Sequence, residues 1–133
     1  NQNITKKSVE DLIGAINFER IRRFIVFLGK KDKEKALEFI NNVFDEGYDL
    51  EVFNREVLNY LRKILLLKIS PSLGKILEKE ATSDEMTILF KQAELFDTPF
   101  LEKLLKRFIE IQTQLRRTPI PTLPFELGIS EEL

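Results

Sequence analysis

Carboxylates are the main candidates for chemistry in this sequence, because it contains no cysteine and no histidine. Thiol nucleophiles, cysteine-ligated zinc and the commonest general base are therefore excluded for this chain. Four carboxylates stand close together in the sequence, at Asp45, Glu46, Asp49 and Glu51. They could supply oxygen ligands to a metal ion, or they could form a solvated corner between two helices. The second interpretation is favoured, since acidic residues are common at helix N-termini, and we expect no metal site.

The glycines do not indicate a nucleotide-binding loop. A phosphate cradle requires a glycine-rich loop directly before a helix. The five glycines are instead scattered along the chain, at Gly14, Gly29, Gly47, Gly74 and Gly128. We therefore expect no catalytic residue and no cofactor site in this chain.

Arginines form two clusters that could contact nucleic acid. They are Arg20, Arg22 and Arg23 in the first cluster, and Arg116 and Arg117 in the second. Phenylalanines near the first cluster could stack on bases, but the spacing of Phe18 and Phe24 matches the inward stripe of a helix. The formal net charge is -1, so a solvated basic face or a partner contact is the simpler interpretation.

Helical periodicity dominates the chain, and no stretch alternates cleanly as a half-buried strand would. The pattern predicts an all-α fold, a compact bundle of about six to seven helices around a long central helix at about 49–69. Asp49 can cap that helix, and the Ser70-Pro71 pair ends it. The second half of the helix is apolar almost all round, so other helices or another chain must cover it.

Shorter helices are predicted on both sides of the central helix. Thr5 can cap a helix over 6–13, and Asn17, Asp32 and Thr82 can cap three more. Another short helix is expected from Pro71 to about residue 80, with Ser70 as its cap, and one more begins at Thr98-Pro99. The side chains expected to face inward include Phe44, Phe90, Leu105 and Ile109.

The C-terminal segment is rich in proline. Pro119, Pro121 and Pro124 forbid a continuous helix. Residues 125–133 are expected to form one or two helical turns or an extended tail.

Apolar residues beyond the main helical stripes predict a protein-protein contact. The candidate interface residues are Phe27, Phe39, Val52, Leu58, Leu65 and Leu66. Several such residues could form an interaction patch, or neighbouring helices of the same chain could cover them. The pattern alone leaves both alternatives open.

No membrane attachment is expected. The N-terminal residues lack the apolar core of a signal peptide, and the run Ile64–Leu67 is too short to span a bilayer. With no cysteine in the chain, we expect a cytoplasmic location.

Seven short segments follow one another in a recognisable order. They are ITKKSVEDLIG at 4–14, GAIN at 14–17, KDKEKAL at 31–37, EGYDL at 46–50, LRKILLLKI at 61–69 and LRRTP at 115–119, with LPFEL at 123–127 after them. In this order and spacing they resemble the gamma/tau subunit of bacterial DNA polymerase III, a clamp-loader subunit of the AAA+ family. The resemblance spans nearly the whole chain.

The resemblance implies a division into three parts. Residues 1–14 would end a preceding AAA+ lid domain or form a linker, and residues 15–118 would form a helical collar domain. Residues 119–133 would form a proline-rich segment with a C-terminal turn or short helix.

The implied function is a non-catalytic assembly domain that oligomerises clamp-loader subunits in bacterial DNA replication. The parent would be a DNA polymerase III subunit with ATP-dependent loading of the sliding clamp. Its AAA+ module would bind ATP and magnesium, and this chain would bind no cofactor. The implied partners are gamma/tau copies in a homo-oligomer, with delta and delta prime. Nucleic acid would be contacted only through the parent complex. The alternatives are a helical nucleic-acid-binding module or a generic protein-interaction module.

Overall fold

The computed structural model describes residues 16–133, which form seven α-helices and one 3-10 turn without any strand. The helices are α1 (Phe18–Gly29), α2 (Lys33–Asp45), α3 (Leu50–Ile69), α4 (Gly74–Leu77), α5 (Ser83–Ala93), α6 (Thr98–Gln114) and α7 (Leu123–Glu132). The predicted all-α bundle around a long central helix is confirmed, with α3 as that helix. The helix predicted over 6–13 lies outside the described residues.

Short polar side chains fix where the helices begin. Each accepts a hydrogen bond from a backbone N–H of the first turn, which would otherwise have no partner. These caps are Asn17 for α1, Asp32 for α2, Asp49 for α3, Thr82 for α5 and Asp97 for α6. The Oδ1 atom of Asp49, for example, lies 2.8 Å from the backbone nitrogen of Glu51. The caps predicted at Asn17, Asp32, Asp49 and Thr82 are therefore confirmed, whereas the side chain of Ser70 makes no capping hydrogen bond and that prediction is wrong.

Two glycines serve different needs at the ends of α1 and α2. Gly47, between α2 and α3, has a φ of 87°, which costs little only for glycine. Gly29 has no such φ, but a Cβ atom there would lie 2.7 Å from the Cβ of Leu95. Gly29 thus allows the close approach of α1 to the connection between α5 and α6.

The chain after α3 departs from the prediction of a continuous helix to about residue 80. Pro71–Leu73 form a 3-10 turn, and α4 ends after only four residues at Leu77. Gly74 itself has helical backbone angles, with φ at -55° and ψ at -29°, so the 3-10 turn continues directly into α4.

Five phenylalanine rings form the centre of the core, each from a different helix. They are Phe24 of α1, Phe39 of α2, Phe53 of α3, Phe108 of α6 and Phe125 of α7. The ring centroid of Phe53 lies 5.2 Å from that of Phe24, 6.0 Å from that of Phe39 and 5.9 Å from that of Phe125. This Phe cluster joins the first three helices to the last two.

The C-terminal segment also contributes to this core. Its helix α7 is ten residues long, with Pro124 in the first turn, where a missing N–H does no harm. Phe125 and Ile129 of α7 are both buried. Residues 123–132 therefore pack on the same core as the preceding helices.

Three side chains expected to face inward are exposed instead. Phe44 is 42% exposed, Phe90 46% and Ile109 58%. Each follows directly after a buried apolar residue, and successive residues of a helix point about 100° apart. The first residue of each pair faces the core, and the second therefore points towards solvent. The prediction that these three side chains face inward is wrong.

A buried polar chain links three helices around Tyr60 of α3. The Tyr60 hydroxyl donates to Oε1 of Gln92 in α5, and Nε2 of Gln92 donates to the carbonyl oxygen of Arg22 in α1, at 3.2 Å. Burial raises the pKa of the Tyr60 hydroxyl above its usual range. The hydroxyl therefore stays protonated in the folded domain at a pH where an exposed tyrosine would ionise.

Substitution of the central ring should destabilise the domain strongly. We expect Phe53→Ala to lower the free energy of unfolding by about 3–5 kcal/mol, because it leaves a cavity between three other rings. Phe44→Ala is the matched control, and its half-exposed ring should cost about 1 kcal/mol or less. Urea denaturation followed by circular dichroism measures both, and equal losses would contradict the assignment of the core.

The Tyr60 hydrogen bond should give a pH-dependent stability. At neutral pH, Tyr60→Phe should lower the free energy of unfolding by about 1–3 kcal/mol, since Oε1 of Gln92 loses its buried donor. Above about pH 10 the unfolded chain loses the Tyr60 proton and the folded chain keeps it. The free energy of unfolding of the wild type should then fall faster than that of Tyr60→Phe.

Denaturation curves at several pH values between about 8 and 11 measure this difference. Both proteins share the same lysines, so the titration of the amino groups cancels in the comparison. A difference in stability that stayed constant across this range would show that Tyr60 ionises equally in both states.

Candidate functional site

An open groove of about 530 Å³ lies between α3 and α6. The residues that line it are Leu58, Asn59, Arg62 and Leu65 of α3, and Glu102, Leu105, Lys106 and Ile109 of α6. Leucine and isoleucine side chains provide its floor, and the polar side chains stand at its edges. Ile109 is the most exposed of the apolar lining residues.

Helical spacing places these side chains on facing surfaces. Leu58, Arg62 and Leu65 follow one another at intervals of four and three residues, so they lie on one face of α3. Glu102, Leu105 and Ile109 are spaced in the same way along α6. The two helices thus present parallel rows of side chains to the groove.

Two amide side chains, the buried Asn54 and the partly buried Gln112, hold α3 against α6 beside the groove. Nδ2 of Asn54 donates to the carbonyl oxygen of Phe108 and to Oε1 of Gln112, both at 2.8 Å. Nε2 of Gln112 donates in turn to the carbonyl oxygen of Glu51, at 3.2 Å. These bonds cross from one helix to the other and fix the distance between them at this point.

A second cavity of about 340 Å³ continues the groove towards the end of α6. It shares Leu58 and Ile109 with the first and adds Gln112, Thr113, Arg116 and Arg117. We refer to both cavities together as the α3–α6 groove.

The rim of the α3–α6 groove is basic. Its cations are Arg62, Lys106, Arg116 and Arg117, and its one carboxylate is Glu102. Arg62 also approaches Glu80 of the same chain, with 3.8 Å between Nη1 and Oε2. Both side chains of that pair are about half-exposed, so the ion pair is weak and either partner can be exchanged. The site is therefore an apolar floor with a net positive border.

The predicted interface residues divide between the groove and other places. Leu58 and Leu65 line the groove together, whereas Leu66 and Val52 are half-buried on α3 outside it. The phenylalanines among them lie between α1 and α2 and are described next. Participation of these residues in a subunit interface stays a prediction.

Phe27 and Phe39 line a separate cavity between α1 and α2. The Phe39 ring is buried in the Phe cluster, and the guanidinium of Arg20 lies over it at 5.4 Å from the centroid. Phe27 packs edge-on against Phe39. Phe39 therefore offers little free surface, and Phe27 remains partly accessible.

Sequence reasoning missed Leu105 and Ile109 as lining residues of the groove. Both were counted on the inward side of α6. The available signal was the pair Phe108-Ile109, in which only one member can face the core of the same chain.

The predicted basic residues do not line one common cavity. Arg20 and Arg23 line the cavity between α1 and α2, and Arg116 and Arg117 line the α3–α6 groove. Arg22 instead lies with its guanidinium 6.0 Å from the ring centroid of Phe18.

Arg20 is held by contacts within the chain. Its Nη1 and Nη2 atoms donate to the two carboxylate oxygens of Glu46, at 2.5 and 3.3 Å. Its guanidinium also lies 5.6 Å from the ring centroid of Tyr48. A phosphate group would have to displace Glu46 to bind this arginine.

The acidic corner is engaged in helix capping and ion pairing. Asp49 caps α3, and Glu46 pairs with Arg20. Within residues 16–133, no three acidic side chains come close enough together to hold a metal ion.

In the described part of the chain, no helix combines the length and the apolar character that a membrane crossing requires.

Comparisons with known proteins give the family. A search of curated proteins gives no significant match. The family model of DNA polymerase III subunits gamma and tau, domain III, matches residues 4–129 of the 133 residues. The resemblance of the sequence motifs is thereby confirmed, and the chain belongs to the family of domain III of the gamma and tau subunits of DNA polymerase III.

Proposed function

We propose that this domain joins clamp-loader subunits to one another through the α3–α6 groove. The proposed partners are gamma/tau copies, delta and delta prime, assembled in the cytoplasm. Membership in the gamma and tau family supports the polymerase III context. The joining function itself is carried by one observation, the exposed apolar floor of the groove.

The composition of the groove favours a protein partner. Leu58, Leu65, Leu105 and Ile109 form its floor, and Ile109 is more than half exposed. An apolar centre within a charged border is the usual arrangement of protein interfaces. Covering this floor would remove apolar surface from water, at about 25 cal/mol per Å².

The proposal assigns different tasks to different parts of the parent protein. ATP and magnesium would be bound by an AAA+ module that precedes this domain. The domain would hold neighbouring subunits in place during loading of the sliding clamp on DNA. Its contribution to the reaction would therefore be affinity between subunits, with no bond made or broken by its own side chains.

Substitution in the groove should weaken assembly without unfolding the domain. We expect Ile109→Lys to raise the dissociation constant for self-association or for partner subunits at least about tenfold, because a charge replaces a buried methyl group in the interface. Sedimentation velocity and pull-down of partner subunits measure this. Circular dichroism should show an unchanged fold, since Ile109 is exposed in the isolated domain.

Ile120→Lys is the matched control. Ile120 is 52% exposed and lies outside the groove, in the connection between α6 and α7. It should leave assembly unchanged. Full assembly of the Ile109→Lys protein, or equal weakening by both substitutions, would contradict the proposal.

A further inference from the structure

Lys63 of α3 is the only buried charged side chain in the described part of the chain, with 9% of its surface exposed. Lysine is rarely buried to this extent unless another group pairs with it. Among residues 16–133, no carboxylate forms an ion pair with Lys63. The less buried Lys68 does have a partner, because its Nζ atom donates to the carbonyl oxygen of Ala93 at 3.0 Å. The described residues therefore leave the charge of Lys63 without a counter-charge.

Lys63 lines a small cavity between α1 and α3, with a volume of about 90 Å³. At about 30 Å³ for each water molecule, this is room for about three waters. The Tyr60 hydroxyl, at one wall, already donates to Gln92. The apolar walls are formed by Ile16, Phe18, Ile21 and the ring of Tyr60. We refer to this space as the Lys63 cavity.

We propose that the Lys63 cavity binds a free short-chain carboxylate of the size of acetate or propionate. The carboxylate group pairs with the Lys63 ammonium, and the alkyl group lies against the apolar walls. One negative charge matches one lysine, and the small volume excludes larger anions such as nucleotides. The site is separate from the α3–α6 groove, with which it shares only the exposed Asn59.

Water alone satisfies the Lys63 cavity less well than a carboxylate does. A buried water requires roughly two to four polar partners. The side chains of Ile16, Phe18 and Ile21 provide none. A carboxylate supplies a charge-assisted hydrogen bond to Lys63, and its alkyl group covers apolar wall surface that water would leave wet.

Glu56 sets the direction in which the ligand lies. It is an exposed residue that lines the same cavity about two helical turns before Lys63, roughly 10 Å along the axis of α3. Its charge repels a carboxylate, so the charged end of the ligand lies at Lys63 and away from Glu56. Glu56 also lowers the affinity that the cavity can reach.

A ligand in the Lys63 cavity contacts both α1 and α3. It binds the folded chain and has no such site in the unfolded chain, so it stabilises the fold as its concentration rises. A molecule of so few atoms binds weakly, with a dissociation constant of about millimolar order. Binding is therefore measured by titration with ligand in large excess.

Nuclear magnetic resonance titration of the 133-residue chain with sodium propionate tests the site. Sodium chloride keeps the ionic strength constant. We expect the methyl resonances of Ile16 and Ile21 to shift and then saturate, and nuclear Overhauser effects to join them to the propionate methyl group. Titration with sodium chloride alone should produce no saturating shift.

Substitution of Lys63 should remove the binding and keep the fold. We expect Lys63→Met to raise the dissociation constant for propionate at least about tenfold, because the ligand loses its counter-charge. Methionine replaces an unpaired buried charge with an apolar side chain of similar length, which the folded chain tolerates. Circular dichroism checks the fold.

Two further variants of α3 complete the test. Arg55→Met is the matched control, because Arg55 is an exposed cation outside the Lys63 cavity, and it should leave the dissociation constant unchanged. Glu56→Gln should lower the dissociation constant by about twofold, since it removes a repelling charge about 10 Å away.

Four results would overturn the inference. The first is a methyl shift that chloride produces as strongly as propionate, and the second is an equal affinity of wild type and Lys63→Met. The third is saturable binding without a nuclear Overhauser effect to Ile16 or Ile21, which would place the ligand elsewhere. The fourth is a lower Tm of Lys63→Met in buffer free of carboxylate, which would show that the chain itself supplies the counter-charge.

Discussion

The convergence of five phenylalanine rings on one point is the constraint on which the rest of the structure depends. Phe53 of α3 contacts rings from α1, α2 and α7, and Phe108 of α6 closes the cluster against Phe125. No single helix can bury its own ring, so the helices must assemble together or remain unstable alone. The position of α3 in the middle of the chain allows elements from both ends to meet on it.

The α3–α6 groove also results from the central position of α3. The arc of α3 that carries Phe53 and Val57 is occupied by the Phe cluster and its neighbours. Leu58 points about 100° away from Val57, towards the border with α6, where α6 covers it only in part. The apolar surplus seen in the sequence is thus divided, with most of it buried within the chain and a smaller part left at the α3–α6 border.

Local chemistry made much of the fold predictable from sequence. Caps such as Asp49 and Thr82 depend only on residues within one helical turn, and the inward stripes depend only on spacing. Adjacent apolar pairs were not predictable in this way. Which member of the pair Phe108-Ile109 faces the core depends on where α3 and α7 lie, and that information is not local.

The candidate site was predictable only in part for the same reason. Leu58 and Leu65 were found because they belong to a helix with more apolar surface than one face can hide. Leu105 and Ile109 were missed because each follows a buried apolar residue, Leu104 or Phe108, and the spacing alone did not show which residue of each pair faces the core. The arginines were visible in the sequence, but the pairing of Arg20 with Glu46 required the fold.

The buried amide of Asn54 determines how stiff the groove is. A shift of α6 along α3 by one turn, about 5.4 Å, would separate the buried Asn54 amide from the Phe108 carbonyl oxygen and from Gln112. Sliding of the two helices is therefore opposed by hydrogen bonding as well as by packing. The groove is therefore preorganised, and binding of a partner costs little conformational entropy in the groove itself. Binding should accordingly resemble the fit of two rigid bodies, with a rate set mainly by their mutual orientation.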